Sequence, residues 1–266
     1  LTKPINIVVI GTGNVAQHVA NSFQGIDSIH LVQIFNHRAT PEAKQFSKRF
    51  QCSLETNYSK INTNANVYII AVKDDAIAEL VKKITPLNLK GIVVHTSGST
   101  DIKALKMASK NTGVYYPLQT FYKGAQINWK TTPVLIEGNS KSVETKLKLF
   151  AGLVSNKVKV VKSKSRLQMH LAAVFACNFT NAMYVSAFQI IEKNIGKKDT
   201  DLLLPIMQHS FQKLQNIHPK QAQTGPAMRG DKLVMKKHLE LIKNNKQLTQ
   251  VYKILSELIV SQQYSK

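Results

Sequence analysis

The chain is short of acid. Only 15 Asp and Glu stand against 36 Lys and Arg in 266 residues, a net charge of +21. Such a balance raises nucleic acid or an anionic membrane as a partner. The lysines are scattered, however, as pairs such as Lys82-Lys83, Lys197-Lys198 and Lys236-Lys237 separated by neutral sequence. Aromatics make up 7% with a single Trp, and no basic run is interleaved with the rings that stacking platforms use. Neither nucleic acid nor membrane is expected as a partner, and the charge reads as a field for polyanionic cofactors and acidic substrates. Cysteine is scarcer still. Cys52 and Cys177 lie in different segments without ligand spacing, which excludes a disulfide framework and a zinc site, so no metal is expected. There is no unbroken run of eighteen apolar residues, and a strand beginning within five residues of the start leaves no room for a signal peptide, so a cytoplasmic protein is expected.

What the chain does have is a dinucleotide signature at its start. Ile5 to Ile10 is a strand with five apolar residues in six, and it runs into Gly11-Thr12-Gly13-Asn14-Val15-Ala16, the order strand, G-x-G-x-x-A, helix. Gly11 permits the tight turn, Gly13 lets the backbone approach a pyrophosphate, and Ala16 lets the helix pack close to the strand. Free N–H groups of the helix starting near Asn14 and Val15 receive the phosphates. A NAD-binding unit places Asp or Glu at the end of the second strand, to bind the ribose hydroxyls. Here that strand ends in Asn36-His37-Arg38 and offers no carboxylate. Arg38 can fork onto a 2′-phosphate, with Asn36 and Thr40 donating further bonds, which points to NADP; a solvated loop arginine is the plain alternative.

Strands and helices alternate through the first 160 residues. Helices are expected near 14–24, 41–50 (Thr40 as N-cap, Pro41 at its first position), 75–84, 101–109 and 142–154. Strands are expected at His30–Phe35, Val67–Val72, Ile92–His95, Val114–Tyr116, Val134–Glu137 and Val158–Val161. Near-continuous apolar strands in βαβ alternation predict a doubly wound, mostly parallel sheet with its ligand crevice beyond the strand C-termini. From Ser163 the pattern turns helical. Arg166 to Ile195 is apolar on nearly all sides, which marks a buried helix, and further helices are expected at 199–217 and 231–259, the last with Leu248, Val251, Tyr252, Leu255, Leu258 and Ile259 at helical spacing. The organisation predicted is an NADP-binding α/β domain over 1–162 and an all-helical substrate and dimerisation domain over 163–266.

Polar clusters fall where such a fold exposes them. Ala71, Val72 and Asp74 end one strand where the chain passes the nicotinamide-side ribose. The next strand ends in His95-Thr96-Ser97-Gly98-Ser99; Thr96 is assigned to the cofactor, Ser97 to catalysis, His95 and Ser99 to substrate. The same run also suits a plain strand-to-helix turn capped by Ser99 or Thr100. Tyr115 to Phe121 follows and contributes Gln119. On the helical side stand His170, Asn178 and Asn181. His170 and Asn181 share a face at ~100° per residue but lie ~16 Å apart along the axis, too far to grip one small substrate together. His170 is the better acid–base candidate because imidazole titrates near neutrality, although a lone helical His is more commonly a hydrogen-bonded core residue. Thr224 to Asp231 is expected as a loop supplying Arg229 as an anion clamp and Asp231 as helix N-cap or carboxylate partner.

Taken together, GTGNVAQHVA, AVKDDAI, HTSGS, YPLQTF, HLAAVFACNFTNAM and TGPAMRGD resemble the bacterial Rossmann-like candidate NADP oxidoreductases that carry a C-terminal helical domain of unknown function. That family is similar to deazaflavin-dependent NADP reductase, pyrroline carboxylate reductase, prephenate dehydrogenase and the 3-hydroxyacid dehydrogenases. The resemblance implies an N-terminal NADP domain and a helical domain of the 6-phosphogluconate dehydrogenase type that often dimerises. In prephenate dehydrogenases a histidine at the start of the helical domain is catalytic, and His170 occupies a similar place. The lysine of the 3-hydroxyacid dehydrogenases has no match, since Lys164 and Arg166 lie too near the start of the helix. The expected activity is hydride transfer between NADP(H) and a small polar, carboxylate-bearing substrate by a homodimer, with a non-catalytic redox sensor or scaffold as the alternative.

Overall fold

The computed structural model describes residues 4–264, and the chain divides into two compact units, one up to Asn178 and one from Phe179 onward. The first unit is built on eight strands: β1 (Ile5–Ile10), β2 (Ile29–Phe35), β3 (Ser53–Glu55), β4 (Val67–Ile70), β5 (Ile92–His95), β6 (Thr112–Pro117), β7 (Val134–Gly138) and β8 (Val158–Val160). They form one sheet in the order β3-β2-β1-β4-β5-β6-β7-β8. Every pairing is parallel except β6 with β7. The reversal has a covalent cause. Residues 118–133 join β6 to β7 without the helix that a parallel crossover requires, so β7 returns from the end where β6 finished. β3 is too short for its periodicity to show in the sequence.

Helices α1 (Asn14–Asn21), α2 (Pro41–Phe50), α3 (Asp74–Ile84) and α4 (Lys141–Val154) cover the sheet. One face buries Val19, Phe23, Tyr115, Leu147 and Phe150 against Ile7, Val9 and Val94; the other buries Ile77, Leu80, Val81 and Leu105 against Val8, Ile10 and Val93. Two buried layers explain why the central strands are apolar at consecutive positions, not alternate ones. Thr40 caps α2 by accepting from the Ala43 N–H, with Pro41 at the first helical position. The helix expected over 101–109 is only a 3-10 turn, Ile102–Leu105, with Asp101 at its N-cap accepting from the Lys103 N–H.

The unit ends in α5 (Ser163–Ala173) and a wider π-turn, Val174–Phe179, that includes Cys177 and Asn178. The second unit contains α6 (Thr180–Asn194), α7 (Leu204–Lys213), α8 (Pro219–Ala222), α9 (Pro226–Arg229), α10 (Lys232–Ile242) and α11 (Lys246–Tyr264). Two expected helices are broken. Residues 199–217 divide into a 3-10 stretch, Lys197–Leu203, and α7; residues 231–259 divide at Asn245, whose side chain accepts from the Leu248 N–H and starts a new helix. His238 Nδ1 lies 2.9 Å from the Tyr252 hydroxyl, linking α10 to α11.

The expectation of a buried helix after Arg166 is overturned. Leu167, Leu171 and Ile190 are 49, 56 and 40% exposed. By length and composition the helical run Ser163–Asn194, with mean hydropathy 1.3 in its most apolar window, could also cross a membrane. All-round apolarity predicted a covering layer, and these side chains stand exposed instead.

Candidate active site

The glycine turn is built as its chemistry demands. Gly11 has φ +112 and donates its N–H to the Phe35 carbonyl, and a Cβ there would lie 2.3 Å from the Ala71 carbonyl oxygen and 3.2 Å from Val72 Cγ1. Only glycine allows that crossing of β1 over the end of β4. Gly13, the N-cap of α1, faces open space where a Cβ would stand, and no side chain caps its helix. The uncapped N–H groups from Asn14 and Val15 onward and the open approach over Gly13 fit a pyrophosphate. Val15 itself packs its side chain against the core, leaving its backbone for the ligand.

At the end of β2, Asn36 donates its side-chain amide to the Arg38 carbonyl at 2.7 Å, and its backbone N–H to the Glu55 carbonyl. Asn36 therefore shapes the loop that presents His37 and Arg38, both exposed. Thr40 accepts from the Ala43 N–H at its cap; the Glu42 pKa is held down first by Glu42's own backbone N–H and then by the Thr40 hydroxyl, which donates to its carboxylate.

The strand ends of β4, β5 and β6 gather the second cluster. Asp74, in the first turn of α3, accepts from the hydroxyls of Ser97 (2.6 Å) and Ser99. Ser97 Oγ in turn accepts from the N–H groups of Ser99 and Thr100, at 3.1 and 2.9 Å. Ser97, not Ser99 or Thr100, closes this turn, and its hydroxyl is fully engaged in doing so. Thr96 lies half-buried, bonded to the Ile70 carbonyl. His95 lies beneath, 0% exposed, with Nδ1 accepting from the Ser97 N–H. Burial, reinforced by the Arg166 guanidinium, depresses its pKa to about 4. A neutral, sealed imidazole supports the turn from below; it does not present itself to a substrate.

Gly98 is packed closely by side chains. A Cβ at this position would lie 2.8 Å from the His170 ring and 2.9 Å from Tyr116 Cζ. Across it, Tyr116 Oη stands 3.0 Å from His170 Nδ1, the rings meeting edge to face. Burial raises the Tyr116 pKa, the Arg166 cation works against that shift, and the Asp74 charge adds to it. One turn before His170, Arg166 is wholly buried. It donates to Glu137 Oε2 at 2.6 Å, to Ser163 Oγ at 3.2 Å and to the Thr100 carbonyl; Ser163 also donates to Glu137 at 2.7 Å. This buried pair ties α5 to β7 and to the end of the serine turn, and it fixes the height at which His170 meets Gly98.

Arg166 and Glu137 escaped the sequence reading, and Tyr116 and Gly98 fell inside its polar clusters without being singled out as a contact pair. An Arg at a helix start and a Glu at a strand end carry no motif; only packing reveals them. Gln119 is exposed, with its side-chain oxygen accepting from the Thr120 N–H. Asn178 is exposed on the π-turn. In the second unit, Asn181 is exposed on α6, Arg229 is exposed at the end of α9, and Asp231 is the N-cap of α10, accepting from the Val234 N–H at 3.1 Å. Among the described residues no cluster of His, Cys, Asp and Glu could hold a metal ion.

Residues 6–97 match the family described as NADP oxidoreductase, coenzyme F420-dependent, and residues 132–259 match a domain of unknown function, DUF2520. No curated protein matches significantly. A candidate NADP oxidoreductase from Bacteroides fragilis is similar in structure with a TM-score of 0.89, at 33% identity over 96% of this chain and 98% of its own. A Thermotoga maritima protein superposes with a TM-score of 0.69 at 20% identity, covering 97% and 98% of the two chains. A reductive aminase from Aspergillus terreus, in complex with NADPH and ethyl-5-oxohexanoate, reaches 0.73 at 15% identity, over 97% and 94%. The last two share the fold alone. Identity with the Bacteroides protein along nearly the whole of both chains places this one: it belongs to the family of Rossmann-fold NADP oxidoreductases with a C-terminal domain of unknown function.

Proposed function

We propose that the protein is an NADP(H)-dependent reductase or dehydrogenase of a small polar substrate, with Tyr116 and His170 as its acid–base pair. The observation that carries the reading is the 3.0 Å contact of Tyr116 Oη with His170 Nδ1 over Gly98, in the same unit as the glycine turn. Gly11, Gly13, Asn14 and Val15 hold the pyrophosphate; Asn36, His37 and Arg38 hold the 2′-phosphate; Ala71, Val72, Asp74 and Thr96 line the nicotinamide half. Bound there, the cofactor supplies or takes up a hydride at the nicotinamide ring. With Nδ1 protonated, His170 donates to Tyr116 Oη and leaves the phenolic proton free for the oxygen or nitrogen of a carbonyl or imine. Once that proton has gone, the His170 imidazolium passes its Nδ1 proton to the phenolate, is left neutral with Nε2 protonated, and regains a proton from solvent. In the oxidative direction both transfers reverse.

The net charge of +21 favours a carboxylate-bearing substrate, for which Ser99, Gln119 and Asn178 are the candidate contacts in the first unit. We assign Ser97 a positioning role through Asp74 and the Thr100 N–H. The exposed apolar helix after Arg166 supports a homodimer, and the cytoplasm is the compartment we assign.

Calorimetric titration with NADPH and NADH tests the cofactor half. NADPH binds at least about tenfold more tightly, a difference of ~1.4 kcal/mol, and Arg38→Ala abolishes the preference. Loss of nicotinamide absorbance on addition of small oxo-acids or imines then separates an enzyme from a redox sensor that binds without turnover.

A further inference from the structure

A cavity of about 600 Å³, within the size range of small-molecule sites, opens at the end of the sheet away from the glycine turn. Its wall includes Ile5, Val67 and Ile92, the first residues of β1, β4 and β5, whose other ends lead into Gly11, Ala71 and Thr96. The cavity and the dinucleotide groove are therefore held apart by the length of these strands, ~13–20 Å at ~3.3 Å per residue. Facing the strand starts is one stripe of α4. Lys146, Leu149, Phe150 and Leu153 line the cavity at positions i, i+3, i+4 and i+7, which share a helix face. The stripe is uncovered at its outer positions: Leu149 is 70% exposed and Leu153 37%, whereas Phe150 is buried. Backbone packs closely along the strand-start wall. A Cβ on Gly91 would lie 2.3 Å from the Ala65 carbonyl oxygen and 2.5 Å from that of Asn66, and the N–H groups of Asn66 and Ile92 already donate to the carbonyls of Asn6 and Asn66. With those donors spent, side chains are what the cavity offers a ligand.

The charge of the lining has one sign. Lys90 and Lys146 both stand in it, both are exposed, and no Asp or Glu lines the cavity. Among the described residues neither lysine forms an ion pair. An apolar wall edged by two free cations has one complementary small-molecule class, an anion on an apolar tail. A second copy of the chain is a poor occupant, since it brings its own net charge of +21 to a cationic rim.

We propose that this cavity is a second ligand site, for an amphipathic anion whose alkyl tail lies against Leu149, Phe150 and Leu153 and whose carboxylate or phosphate head meets Lys90 and Lys146. The proposal does not rest on the cofactor reading. Its test contains no nicotinamide, so either can fail alone.

The test is calorimetric titration of the full-length protein with decanoate, decyl phosphate and decanol, all below their aggregation limits. One saturable site is expected for an anion, and the better of the two anions identifies the head group. Replacing both cations, Lys90→Gln with Lys146→Gln, weakens that anion about three- to tenfold, the scale of exposed charge contacts, and leaves decanol unchanged. Leu153→Asp weakens anion and alcohol alike, because it places a carboxylate where the tail lies. Thermal midpoints of the variants, which alter exposed or half-exposed side chains, stay near that of the wild type. Absence of saturable binding by either anion overturns the proposal, as does equal affinity in the double lysine variant. Binding that survives Leu153→Asp but is lost in Leu171→Lys overturns it too, by moving the tail to the exposed helix after Arg166.

Discussion

Tyr116 and His170 come from a strand and a helix 54 residues apart, yet the phenol oxygen lies 3.0 Å from the imidazole nitrogen because Gly98 leaves no side chain between them. If this pair moves the proton, His170→Ala and Tyr116→Phe each lower turnover by ~100- to 10,000-fold, as general acid–base groups do, with NADPH affinity nearly unchanged. Gly98→Ala produces the same kinetic defect with both functional groups present, since the new methyl must push the His170 ring aside. Stopped-flow oxidation of NADPH with an accepted substrate measures all three. Full turnover in Gly98→Ala would remove the pair from the mechanism.

Gly11 and Gly13 should fail differently. Gly11→Ala forces a Cβ to within 2.3 Å of the Ala71 carbonyl at φ +112, and costs more than ~2 kcal/mol of stability. Gly13→Ala enters open space, so the thermal midpoint changes little while NADPH affinity falls about tenfold or more as the methyl occupies the pyrophosphate's approach. Differential scanning fluorimetry with and without NADPH distinguishes the two.

The Glu137–Arg166 pair is buried, so removing one partner strands the other. Arg166→Met costs ~3–5 kcal/mol in urea unfolding, and adding Glu137→Gln recovers part of that loss. A surface-sized effect below ~1 kcal/mol would contradict the burial seen here.

His95 gives the fold an acid-side weakness. Its pKa falls from 6.5 to about 4 on burial, so the unfolded chain binds the proton more readily than the folded one. The stabilisation from its neutral form is complete above pH ~6.5, declines as the pH falls, and is lost once the pH passes the folded value, amounting to ~3 kcal/mol. Urea unfolding from pH 7.5 to 4 should show this slope in the wild type and lack it in His95→Gln.

Exposed Leu167, Leu171, Val185 and Ile190 predict that a second copy covers them. Light scattering at micromolar concentration returns twice the 29.7 kDa chain mass, and Leu171→Lys combined with Val185→Lys lowers it towards one. A wild-type monomer would refute the interface.

By itself the sequence determined the glycine turn, the strand order of chemistry along the first 160 residues and the lack of a ribose-binding carboxylate after β2. These are local: five apolar residues before G-x-G-x-x-A, or Thr40-Pro41 at a helix start, dictate backbone conformation through neighbours in the chain. It also brought His95 forward as a contact residue, because a strand-end histidine looks alike whether its ring faces a cleft or lies sealed. Only the tertiary structure decided that, along with the reversal of β7, the Tyr116–His170 contact and the Glu137–Arg166 clamp. Each is a meeting of side chains far apart in the chain, fixed by which faces pack, and hydrophobic periodicity specifies a buried face without naming what lies across it. The helix after Arg166 shows the same limit. Its apolarity suggested a buried helix, yet Leu167, Leu171 and Ile190 stand exposed, because apolar composition does not specify what packs against it.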